Sequence, residues 1–78
     1  MKNIELTIIK KVLAAYGGEV ARHDPSGKEQ KLEVRLPDDA RTYRYHFANH
    51  RRDPDRVMRR DLLRALNRER AKREKPPL

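Results

Sequence analysis

Two short stretches of this chain alternate residue by residue between apolar and polar side chains, and they restrict the folds open to it. Leu32, Val34 and Leu36 interleave with Lys31, Glu33 and Arg35, and Tyr43, Tyr45 and Phe47 interleave with Thr42, Arg44 and His46. A period of two sends successive side chains to opposite sides of a strand, so each stretch is a strand with one dry face. A sheet built from such strands has a single apolar face, and every other apolar element must pack there.

The remaining apolar elements are helical. Ile4, Ile8, Val12 and Ala15 repeat at helical spacing within 3–16, and Gly17 or Gly18 supplies the stop. Leu6, Ile9, Leu13 and Tyr16 widen this apolar surface beyond one stripe. A helix that apolar is either sandwiched or covers a partner, and Leu6, Ile9 and Leu13 are the expected protein-binding face. Residues 19–23 read as a weak strand with only Val20 clearly apolar, and Asp24-Pro25-Ser26-Gly27 as a turn. Asp53-Pro54 opens the last helix as N-cap and first helical residue, and Met58, Leu62, Ala65 and Leu66 form its core stripe. From Glu69 to Leu78 no apolar face is visible, which predicts a basic, frayed C-terminal tail over 69–78. The expected fold is α+β: one α-β-β-β-α domain over 1–68, with a three-stranded antiparallel sheet and two helices on one face. Lys31, Arg35, Arg44 and His46 then fall on the open face.

Charge divides the chain in two. Residues 1–40 carry seven Lys/Arg and seven Asp/Glu, whereas 41–78 carry thirteen Lys/Arg against five Asp/Glu, which is the whole formal +8. A one-sided field of this kind suits a polyanion. There is no cysteine, which excludes disulfides and thiolate metal sites. No apolar run is long enough to span a bilayer and the N-terminus lacks signal-peptide features, so a cytoplasmic protein is expected, with no membrane partner and no cofactor.

Three features could carry chemistry. Arg56, Arg60, Arg64 and Arg68 are spaced by four on the last helix, away from its core stripe, with Arg44, Arg51 and Arg52 in support. Guanidinium groups stay charged and bind phosphate bidentately, so such a row suits a nucleic-acid backbone. His23, His46 and His50 are the candidate catalytic residues, since a ribonuclease needs a base near a 2′-hydroxyl and a cation for the phosphate. Their spacing matches no metal or nucleophile motif. The aromatics of Tyr43-Arg44-Tyr45-His46-Phe47 could stack bases, but they are the only bulky apolar residues that strand can give to the core.

The element order, the size and the segment from Tyr45 to Leu66 resemble the HicA-like toxin family of toxin–antitoxin modules. That family's last strand leads through a His/Pro/basic loop into a final helix. Here Tyr45-His46-Phe47-Ala48-Asn49-His50-Arg51-Arg52-Asp53-Pro54 is followed by Val57-Met58-Arg59-Arg60-Asp61-Leu62-Leu63. The opening helix followed by Gly18-Glu19-Val20 also fits, and the similarity covers most of the chain in pattern and little of it in identity. The resemblance implies a double-stranded-RNA-binding-like fold and contact with RNA. The family's Gly-Ser-His, which supplies its catalytic histidine, has no counterpart: Asp24-Pro25-Ser26-Gly27-Lys28 stands there, with His23 one step before.

The first reading is therefore a small basic nucleic-acid-binding module, for RNA rather than DNA, without catalysis. The second is a small phage-type inhibitor or accessory protein that binds a host defence or nucleic-acid-handling protein complex, meeting an acidic protein surface, or a cognate partner or second copy through the first helix. The third is a HicA-like ribonuclease toxin.

Overall fold

The computed structural model describes residues 4–48 and 54–78. His50, Arg51, Arg52 and Asp53, the expected N-cap, lie outside the described residues. The order is α1 (Ile4–Ala15), β1 (Glu19–Asp24), β2 (Glu29–Arg35), β3 (Tyr43–Ala48) and α2 (Pro54–Lys72). The three strands form an antiparallel meander in the order β1-β2-β3. The α+β, α-β-β-β-α architecture is the one expected.

The alternating residues set which face is dry. Val34 pairs with Tyr43, Leu32 with Tyr45 and Gln30 with Phe47, so these six share one side of the sheet. Both helices pack there: Ile9, Val12 and Leu13 of α1 and Met58, Leu62 and Leu66 of α2 join the strand residues and Leu36 in one buried cluster. Burial of that shared apolar surface is the main force holding the two layers together. In β1 the register slips between Val20 and Arg22. That bulge lets Val20 and His23, three residues apart, both fall on the helix side, opposite Val34 and Leu32.

α1 stops at a paired glycine. Gly17 has φ 74°, its N–H donates to Ala14 O at 3.1 Å, and Gly18 N–H donates to Leu13 O at 2.8 Å. This is the Schellman closure, which needs a left-handed residue at its centre. A Cβ on Gly18 would lie 2.9 Å from Leu36 Cδ2 and 3.0 Å from Arg35 O. The second glycine is therefore required by the close approach of β2.

Two expectations are corrected. Ile9 and Leu13 are each 0 % exposed and belong to the core, and Leu6 packs against it, so α1 is sandwiched and these residues are no open docking face. Contact with the sheet and α2 accounts for Ile9, Val12 and Leu13, whereas Ile4 and Tyr16 stay exposed. The segment 69–78 is not frayed. α2 continues to Lys72, and Lys75 N–H donates to Arg70 O at 2.8 Å and Glu74 N–H to Ala71 O at 3.1 Å. Glu74, at φ 59°, takes the left-handed position of a second Schellman closure. The chain then turns back, so that Leu78 N–H donates to Asn67 Oδ1 at 2.7 Å while its side chain packs on the core.

Candidate nucleic-acid interface

α2 carries basic residues of two kinds. Its buried positions run Met58, Leu62, Leu66 and then Arg70, each four residues on. Arg56, Arg60, Arg64 and Arg68 occupy the opposite side and all are exposed. At 1.5 Å per residue the row is about 18 Å long. Among the described residues none of the four makes a hydrogen bond or an ion pair. Neighbouring Arg59 differs, since its Nε donates to Asp55 Oδ1 at 3.0 Å.

Past Arg68, exposed Lys72 continues the row, whereas Arg70, Arg73 and Lys75 are engaged by the fold. Arg70 is only 3 % exposed. Its Nη1 and Nη2 donate to Asp38 Oδ1 and Oδ2 at 2.9 and 2.8 Å, a two-pronged pair, and its Nε donates to Pro76 O at 2.7 Å. Arg73 Nη1 donates to Asp39 Oδ2 at 2.8 Å and Nη2 to Thr42 O at 2.8 Å, while its guanidinium lies 3.9 Å from the Tyr43 ring centroid. Lys75 Nζ donates to Asp38 O. Tyr43 Oη donates to Asp39 Oδ2 at 3.0 Å, and Arg41 N–H to Asp39 Oδ1 at 3.0 Å. The hydrogen bond from Arg73, then that from the Arg41 amide, hold the Asp39 carboxyl far below its ordinary range. The Arg70 hydrogen bond lowers Asp38 likewise. Burial, then the bond to Asp39, raises the Tyr43 phenol.

This clamp was missed in the sequence, although one signal was present. Arg70 and Arg73 continue the core stripe 58-62-66 at spacings of four and three, and Asp38-Asp39 follow β2 after Leu36-Pro37. Charged residues at core positions ask for counter-charges elsewhere in the chain.

The open face of the sheet is balanced. Arg22 stands opposite Glu33, which stands opposite Arg44, and Asp24 stands opposite Lys31, which stands opposite His46. Arg22 Nη1 lies 3.9 Å from Glu33 Oε2, Arg35 Nη1 lies 3.3 Å from Glu19 Oε1, and His46 Nδ1 lies 2.6 Å from Glu29 Oε2. An open groove of about 300 Å³ is lined by Arg22, Asp24, Lys31, Glu33, Arg44 and His46. Arg44 is exposed, but the sheet and the helix layer separate it from the α2 row.

His23 and His46 do not converge. His23 lies on the helix side with Nε2 2.6 Å from Gln30 Oε1, and His46 lies on the open side. Among the described residues no three His, Cys, Asp or Glu side chains are grouped to hold a metal. No described helix is long and apolar enough to cross a membrane. No family model, curated protein or solved structure matches the chain.

Proposed function

We propose that this chain is a small, non-catalytic RNA-binding module acting in the cytoplasm, with the outer face of α2 as its contact surface. The observation that carries this reading is the row Arg56, Arg60, Arg64 and Arg68, exposed and without partners among the described residues. Structural arginines are held by carboxylates, as Arg70 and Arg73 are, whereas these four keep their donors for something outside the fold. Phosphate is the ligand such donors suit, and a row of them follows a backbone without reading bases. RNA is favoured over DNA by the resemblance of the Tyr45–Leu66 segment to HicA-like toxins. The absence of catalysis is favoured by the sheet that divides His23 from His46 and by the lack of the Gly-Ser-His motif.

The test is a salt-dependent titration against duplex RNA, single-stranded RNA and duplex DNA, with the nucleic acid inspected on a gel. Four phosphate contacts give a log–log salt slope of about −3 to −4. Arg60→Glu with Arg64→Glu should lower that slope by about 2. Unchanged affinity in that double variant would reject the row as the site. Absence of binding at physiological salt would move the row to an acidic protein surface, and cleavage of the RNA would revive the ribonuclease.

A further inference from the structure

The sheet ends in two edges of different make. β1 is interrupted by the bulge between Val20 and Arg22, which spoils its outer side as a template for pairing. β3 pairs with β2 over six consecutive residues, Tyr43 to Ala48, with no such slip, and no strand lies beyond it among the described residues. Every second residue of β3 therefore turns its N–H and C=O away from β2 in regular register. The run has a marked start, because Arg73 Nη2 already holds Thr42 O. Charge along this edge is unfinished. Arg22, Glu33 and Arg44 stand in one row across the sheet. Glu33 Oε2 lies 3.9 Å from Arg22 Nη1, and its Oε1 accepts from Thr42 Oγ1 at 3.3 Å. Arg44 is exposed and has neither a hydrogen bond nor an ion pair among the described residues. The sign that continues the row is negative.

We propose that the β3 edge takes up an extended strand of a partner protein, with a carboxylate of that strand opposite Arg44. The site is separate from the α2 row, so the proposal stands whether or not that row binds RNA. In strand addition the main-chain hydrogen bonds supply affinity and alternate side chains supply selectivity. A second copy of this chain is disfavoured as the guest. Antiparallel pairing of two β3 strands centred on Arg44 sets Arg44 against Arg44, and pairing centred on Tyr45 sets it against His46. Parallel pairing in register again puts Arg44 beside Arg44, and adjacent like charges destabilise a sheet. The net charge of +8 adds to the repulsion between copies. An acidic strand meets neither obstacle. On the other side of β3, Tyr43, Tyr45 and Phe47 are already buried, with α2 packed on the strand. The core is thus complete without the guest, and the strand adds reversibly to a folded protein.

The probes are capped peptides about eight residues long that alternate Val and Thr, with Glu, Gln or Lys at one central Thr position. Each is titrated against the intact chain, Arg44→Glu and Arg60→Glu/Arg64→Glu, and circular dichroism verifies folding. The salt is about 0.15 M, where exposed charges more than about 8 Å apart are largely screened. The expected order for the parent is Glu tightest and Lys weakest. Arg44→Glu should reverse that order and weaken the Glu peptide about fivefold. The α2 variant should keep the parent's order. Methylating alternate backbone nitrogens of the Glu peptide should abolish binding for one set of amides and spare it for the other, because an added strand pairs on one side only. No binding of the Glu peptide would overturn the proposal, as would loss of binding in the α2 variant but not in Arg44→Glu. Indifference to which amides are methylated would overturn it too. A dimer of the parent in sedimentation that the Glu peptide dissolves would give the edge to a second copy instead.

Discussion

The two halves of α2 use the same residue type for opposite purposes. At Arg56, Arg60, Arg64 and Arg68 guanidinium groups stand in solvent with their donors unused among the described residues, whereas at Arg70 and Arg73 they are enclosed and nearly every donor is engaged. What separates them is angular position. The row lies opposite Met58, Leu62 and Leu66, and Arg70 falls in line with that stripe one turn further on. An arginine count gives charge, and only its phase against the core says whether that charge faces outward or serves the fold.

The largest effect expected is at the clamp. Arg70→Ala removes three charge-assisted or buried hydrogen bonds and leaves Pro76 O and part of Asp38 unmatched, at a cost of about 2 kcal/mol in denaturant unfolding. Silence there would erase the distinction between the halves of the helix. Acid is the next lever. The carboxyls of Asp38 and Asp39 have folded pKa values below their unfolded ones, so their contribution is complete above about pH 4, the unfolded value. It is lost as pH falls toward the folded values. Asp39→Asn should start lower at neutral pH and give a flatter acid limb between about pH 4 and 2. An unaltered limb would show that the pair with Arg73 carries no linkage. Arg60→Glu/Arg64→Glu should sharpen the contrast from the other side, shifting stability by no more than about 0.5 kcal/mol while RNA binding falls. His46→Ala should do least: its partner Glu29 is exposed, and neither binding nor RNA integrity should change. Any RNA cleavage abolished by that substitution would contradict the non-catalytic reading.

The sheet and both helices were legible because their signals are local. The alternation at Leu32–Leu36 and Tyr43–Phe47 and the helix start at Pro54 each need only a few neighbouring residues. The misread parts depend on contacts far apart in the chain. The tail looked frayed because Arg70 and Arg73 count as polar until Asp38 and Asp39 are brought to them across more than thirty residues. Ile9 and Leu13 looked like a docking face because one strip of sequence does not show that α2 and the sheet cover α1 from two directions. Of the site, the α2 row was visible as a spacing of four. Its separation from Arg44 required the two layers to be assembled.

The clamp also bears on the order of events in folding. It joins residues 31 to 37 positions apart, so its hydrogen bonds reward the chain only after the meander and the helix layer have come together. Interactions made after the transition state govern how fast the native state opens rather than how fast it is reached. The Asp38–Arg70 pair thus acts as a late-closing fastener, and its loss should appear mainly as faster unfolding, with the refolding rate nearly unchanged.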